Sequence, residues 1–235
     1  MNKLLIVTGG TKGIGRAVIE KFAAHNVDIV TCARNKKDLE DLQRSLEKNY
    51  PAIKTYVYPA DMSEKEKVKE FCAFVLSLDR PVDILVNNAG YFIPGEISTE
   101  PEGTLESMIN ANLYSAYYIT RGIVHTMKTQ RSGHIFNLCS IASIEAYPNG
   151  GSYAISKFAL LGFSKCLREE LKSFGIRVTA VLPGATRTAS WEGTDLPEER
   201  FMKVEDVADT IFAAYSLSGR SVVEAILIRP QLGDI

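Results

Sequence analysis

Tyr153 and Lys157 stand four residues apart in Ser152-Tyr153-Ala154-Ile155-Ser156-Lys157, inside a stretch of helical periodicity. That spacing sends both side chains out of one helix face. A free phenol titrates at about 10 and exchanges protons poorly at neutral pH. An ammonium beside it stabilises the phenolate and lowers its pKa, which makes the pair a candidate general acid and base. The same spacing recurs at Tyr50 and Lys54, but Pro51 falls inside that copy and a strand pattern follows. It reads as a chance match on a turn. Ser140 lies thirteen residues before Tyr153, at the end of the run Gly133–Cys139. The carboxyl ends of parallel strands face a ligand crevice, where a hydroxyl can hydrogen-bond a carbonyl oxygen opposite the tyrosine. Ser143 ranks second for that role, and capping of a turn is the bland alternative for Ser140.

A second group of residues suits phosphate. Thr8-Gly9-Gly10-Thr11-Lys12-Gly13-Ile14-Gly15 follows the first apolar run and opens a helical pattern. Glycines there permit a tight turn, let backbone approach a pyrophosphate, and let helix pack closely on strand. The helix start adds free N–H groups and a partial positive charge. The placement at a first strand–helix junction argues for a dinucleotide rather than a mere turn. At the end of the second strand, Thr31-Cys32-Ala33-Arg34-Asn35 carries no acid to hold a ribose hydroxyl. Arg34 there, with Lys12 in the glycine turn, is suited to a 2′-phosphate, so NADP(H) is the expected cofactor.

These residues must be positioned by something regular. Continuous apolar runs at Leu4–Val7, Ile29–Cys32, Thr55–Tyr58, Ile84–Val86, Ile135–Leu138, Val178–Val181 and Ala225–Ile228 predict strands buried on both faces. Helical stretches near 13–25, 36–48, 63–78, 104–129, 152–174 and 204–216 lie between them. Ser63, before Glu64 and Glu66, is expected to start one helix, and Gly175 to stop another. The alternation predicts a Rossmann-type doubly wound α/β sheet of about seven parallel strands in one domain, 1–235. The irregular segment 186–203, with Trp191, Gly193 and Pro197, is a candidate binding loop or lid.

Composition narrows the function. The 235 residues are 46% hydrophobic and 23% charged, with a net charge of −1. There is no basic field for nucleic acid or an anionic membrane, and no apolar run near the ~20 residues of a membrane span. With no leader pattern before the first strand, a cytoplasmic location is expected. Cys32, Cys72, Cys139 and Cys166 form no CxxC pair, and three or four of them read as small buried hydrophobes. His25, His125 and His134 lack ligand spacing, so no metal is expected. Phe92, Tyr147 and Trp191 fall beside the crevice and are candidates for a substrate pocket, with ordinary packing as the alternative.

Taken together, these motifs resemble the short-chain dehydrogenase/reductase family over nearly the whole chain. The glycine turn is similar to its cofactor motif, and Asp61-Met62 to its adenine-contacting position. Asn88-Ala89-Gly90 resembles the segment lining the adenine-ribose and nicotinamide side, and Pro183-Gly184 with Thr186 and Thr188 the segment holding the nicotinamide carboxamide. Asn112, Ser140, Tyr153 and Lys157 match the family's catalytic tetrad. The resemblance implies hydride transfer between NADPH and a carbonyl carbon. Tyr153 would donate the proton, Ser140 polarise the oxygen, Lys157 bind the nicotinamide ribose, and Asn112 hold a water for proton resupply. It also implies a homodimer or homotetramer through the faces of 104–129 and 152–174. Three functions stay open: a reductase of small or medium ketones, a 3-oxoacyl-(acyl-carrier-protein) reductase, and a non-catalytic NADP(H) sensor. The ending Ser221–Ile235 departs from the glycine-rich tail usual in the second and is more similar to sepiapterin-reductase-like members.

Overall fold

The computed structural model describes residues 2–188, 191 and 193–235. Seven strands, β1 (Leu4–Thr8), β2 (Asp28–Ala33), β3 (Thr55–Pro59), β4 (Ile84–Asn87), β5 (Gly133–Leu138), β6 (Ile176–Pro183) and β7 (Ala225–Ile228), form one sheet. Every pairing is parallel and the order is β3-β2-β1-β4-β5-β6-β7. Each expected run lies within one of these strands. The helices are α1 (Gly13–Ala23), α2 (Lys36–Asn49), α3 (Lys65–Ser77), α4 (Thr104–Ile109), α5 (Ser115–Gln130), α6 (Gly151–Leu171) and α7 (Val204–Ser216).

The continuous runs are explained by two cores. Leu5 and Val7 of β1 pack with Phe22 of α1, Leu42 of α2 and Ile211 of α7. Leu4 and Ile6 point the other way, onto Phe71 of α3, Ile123 of α5 and Leu171 of α6. A central strand covered on both faces cannot alternate apolar with polar. Chain order reverses between β1 and β4, which places the ligand crevice above their carboxyl ends.

Two expectations are corrected. Ser63 does not cap α3: the helix starts at Lys65 after Glu64, and the Ser63 hydroxyl donates to Asp61 Oδ1 at 2.7 Å. The predicted helix 104–129 is broken by a wide π turn at Asn110–Tyr114 between α4 and α5. A side chain inside that turn, Asn112, bonds backbone 21 residues away, so the break has a tertiary cause. Gly175 does end its helix, at a φ of +71°.

Candidate active site

The residues singled out from sequence converge on one cavity of about 970 Å³ above the β1–β4 divide. At one end its wall includes Gly9, Thr11, Lys12, Gly13 and Ile14 of the turn, with Arg34, Asp61 and Met62. Asn88, Ala89 and Gly90 follow, then Pro183, Gly184, Thr186 and Thr188. Ser140, Tyr153 and Lys157 stand at the other end beside Phe92, Tyr147 and Trp191.

The turn is shaped for close approach. Gly9 and Gly13 have φ of +70° and +56°, the left-handed region that favours glycine. No side chain caps α1, so its first N–H groups are left for a ligand. Gly15 plays a different part: a Cβ there would meet Asn88 Nδ2 and the Gly9 oxygen at 2.5 Å. It stands behind the wall and lets helix pack on loop. Asn88 Nδ2 donates to the Thr8 and Gly9 carbonyls at 2.9 and 3.0 Å, tying β4 to the turn. Lys12 is 74% exposed and 3.4 Å from Asp38, whereas Arg34 forms no ion pair among the described residues. Asp61 also takes the Ser63 N–H at 2.9 Å.

At the other end, β5 delivers Ser140 and α6 delivers Tyr153 and Lys157. The Ser140 hydroxyl accepts from the Ala142 N–H at 3.1 Å, so it does cap a short 3₁₀ turn, and it lines the cavity beside the Tyr153 phenol. Ser143 supports it from behind, its hydroxyl accepting from the Ser140 N–H at 3.1 Å. Lys157 is 6% exposed and donates to the Leu138 carbonyl at 2.7 Å, with Nζ 5.6 Å from the Tyr153 ring centre. Burial lowers the Lys157 pKa to about 8. Burial also raises Tyr153 above the ordinary phenol value, with the nearby Ser140 hydroxyl pulling the other way. Desolvation is thus the largest influence on the phenol in this structure, against the expectation that the ammonium beside it would lower its pKa.

Asn112 is buried behind this wall. Its Oδ1 accepts from the Tyr91 N–H at 2.9 Å, and its Nδ2 donates to the Tyr91 carbonyl and the Ser156 hydroxyl at 3.1 and 2.9 Å. Both amide hydrogens are thus engaged by protein, in a strut that joins the π turn to α6 beside Lys157.

The Phe92 ring meets Tyr153 edge-on at 4.9 Å, and Trp191 packs on Phe201 at 5.1 Å. The lid expectation for 186–203 falls partly on Ala189, Ser190 and Glu192, which lie outside the described residues; Thr186 bridges to Met202. Sequence reasoning missed Asn35, Asp38 and Ser63 at the first end, and Glu145, Asp234 and Ile235 at the second. Asn35 and Asp38 follow Arg34 closely enough to have been suspected. Asp234 and Ile235 carry no local signal, being held by Arg229, which pairs with both Asp234 and Glu145. Among the described residues no group of three or more His, Cys, Asp or Glu could hold a metal ion, and no helix is long and apolar enough to cross a membrane.

A family model described as short chain dehydrogenase matches residues 3–198. The chain belongs to the short-chain dehydrogenase family. Sepiapterin reductase of Chlorobaculum tepidum is 34% identical to this short-chain dehydrogenase, over 100% of this chain and 99% of that one. L-sorbose reductase of Gluconobacter frateurii, solved with NADPH and L-sorbose, superposes with a TM-score of 0.90 at 27% identity, over 97% and 95% of the two chains. An alcohol dehydrogenase of Thermococcus sibiricus, solved with 5-hydroxy-NADP, shares the fold with a TM-score of 0.92 at 24% identity, over 98% and 97%.

Proposed function

We propose that this oxidoreductase uses NADP(H) to reduce the carbonyl of a small or medium ketone to the alcohol. The reading rests above all on Tyr153, Ser140 and Lys157 lining one end of a cavity whose other end is a glycine turn with Arg34 beside it. The protein fits the cofactor: the glycine cradle admits no side chain, the start of α1 offers free N–H groups, and Arg34 suits a 2′-phosphate. Two structural relatives were solved with NADPH or an NADP derivative.

When bound, NADPH supplies the hydride. The rest falls to this chain. Tyr153, protonated at neutral pH like any phenol and kept so by burial, donates its proton to the carbonyl oxygen as negative charge develops there. Ser140 orients that oxygen and donates to the phenolate left behind. Lys157, held by Leu138, supplies the positive charge that stabilises this phenolate and binds the nicotinamide ribose. Phe92, Tyr147 and Trp191 shape an apolar substrate end. The chain 1–235 works as one unit, cytoplasmic, as a homodimer or homotetramer.

NADPH consumption at 340 nm against ketones, diketones, sepiapterin and short 3-oxoacyl thioesters, with NADH in parallel, tests the reading. Turnover of a ketone or of sepiapterin is expected; turnover of thioesters alone would move the chain to the acyl-carrier branch. Tyr153→Phe should cut kcat about a hundredfold or more while NADPH affinity holds within about twofold. Tight NADPH binding without turnover on any class would favour a sensor.

A further inference from the structure

The helix that carries Tyr153 begins at Gly151 with Gly150 before it, and its own N-cap residue offers no side-chain bond. The first N–H groups of a helix lack intrahelical partners and must find others. Here the partner comes from another segment. Glu100, in the irregular stretch 91–103 between β4 and α4, accepts from the Ser152 N–H at 3.4 Å and from the Ser152 hydroxyl. Ser152 is 1% exposed and immediately precedes Tyr153. A carboxylate at a helix start also gains from the partial positive charge there.

Two further contacts make this a grip. The Gly95 N–H donates to the Asn149 carbonyl at 3.0 Å, just before the helix. Gly151 has a φ of +29°, and a Cβ on it would collide with the Gly95 oxygen and lie 3.0 Å from Glu100 Oε2. Phe92 of the same segment sits edge-on to the Tyr153 ring. Glu100 itself is absent from the cavity wall. Any effect it has on the reaction runs through Ser152 and the first turn of α6.

We propose that Glu100 is a positioning residue for the reaction: by clamping Ser152 it fixes the first turn of α6 and holds the Tyr153 hydroxyl in register with Ser140. Misplacement of a reacting group by about 1 Å can cost roughly a hundredfold in rate. Removing the clamp therefore touches the chemical step more than cofactor binding, most of which is built on the turns after β1, β2, β4 and β6.

This inference rests on Tyr153 being the proton donor, and the test has one arm that needs no turnover. In steady-state kinetics with NADPH and the preferred ketone, Glu100→Ala should lower kcat about tenfold or more, with the ketone KM and the NADPH Kd within about threefold of native. Glu100→Gln keeps an oxygen acceptor and should recover most of that loss. A purely structural residue would instead lower the melting temperature and leave kcat per folded molecule unchanged. Should Glu100→Ala fail to fold, Ser152→Ala removes only the hydroxyl donor and should show the same kcat-selective loss in smaller measure. In the second arm, hydrogen exchange of the amides of 152–157 should run about tenfold faster in Glu100→Ala than in native protein, and near the native rate in Glu100→Gln. If native protein turns over no substrate, the ketone-reductase reading fails and this arm still decides the clamp. Native kcat in Glu100→Ala, loss of NADPH affinity in step with kcat, or unchanged exchange would each overturn it.

Discussion

Burial favours the neutral form of both ionisable groups at the catalytic end, and the sign of the pH dependence follows. Tyr153 is held above the ordinary phenol value, so it keeps its proton well past neutral pH, as the proposed proton donor must. Lys157, brought down to about 8, is cationic below that pH and neutral above it. A phenolate formed beside a neutral amine has lost its counter-charge, so kcat for reduction should fall as pH rises through about 8. Lys157→Arg keeps a cation at every working pH, and an initial-rate profile should show that limb displaced upward by roughly one unit or more. A limb that stays in place belongs to another group. At the far end of the cavity Lys12 and Arg34 are both exposed, but Lys12 is already paired with Asp38 while Arg34 forms no ion pair among the described residues. The larger share of 2′-phosphate recognition therefore falls to Arg34. A charge-assisted hydrogen bond contributes about 1.5–3 kcal/mol, so Arg34→Ala should raise the NADPH Michaelis constant by about ten- to a hundredfold and leave the NADH constant nearly unchanged. Equal effects on the two cofactors would remove Arg34 from the phosphate.

At the scale of elements, the strands were legible because a sheet covered on both faces writes itself as uninterrupted apolar runs. The π turn at Asn110–Tyr114 was not, because its cause is a bond between Asn112 and Tyr91 that no local pattern encodes. Ser63 misled for a related reason: the residue types of a cap were present, but Asp61 two residues back took its N–H and hydroxyl. A long-range tie of greater consequence lies at the amino ends of the strands, opposite the cavity. Asp28, at the start of β2, pairs with Arg80 at 2.6 Å, with side chains 5% and 8% exposed. It also accepts from the Lys54 N–H before β3 and from Asn2 before β1, at 2.9 and 3.0 Å. Burial alone would raise this carboxyl, but those hydrogen bonds and Arg80 hold it below the usual carboxylate range. Its contribution to stability is therefore full above the ordinary carboxylate pKa and is lost as pH falls through the lower folded value. Asp28→Ala strands a buried guanidinium and should cost about 3–5 kcal/mol, read as a lower urea midpoint with an unchanged slope. Because the pair is remote from Tyr153, kcat of the folded fraction should stay native. A midpoint within error of native would show the pair contributes nothing net.

For the whole molecule, the cofactor end of the cavity is built from strand ends and the turns that follow them, whose spacing can be read along the chain. The substrate end is assembled from 91–103, the turn after Ser140, the segment after β6 and the last residues, where Arg229 holds Asp234 against Glu145. Such a wall is set by which loops meet in space, so Phe92, Tyr147 and Trp191 could be suspected from position while Asp234 and Ile235 could not. Assembly poses the same problem on the outer surface. Leu105 of α4, Tyr114 of the π turn and Ile155 and Phe158 of α6 are between 37% and 47% exposed. Gly162, one turn beyond Phe158 on α6, has open space where a side chain would be. Large apolar groups grouped on neighbouring elements mark an association surface more often than free solvent. In a twofold interface each substituted residue enters twice, so one buried charge there is felt by both protomers. Native protein should therefore scatter light with a mass of at least twice the 25.9 kDa chain. Phe158→Glu should shift it toward the single chain, with NADPH affinity retained because the cavity opens at another face. A native mass of one chain would discard the oligomer, and an unchanged mass in the variant would move the interface to another surface.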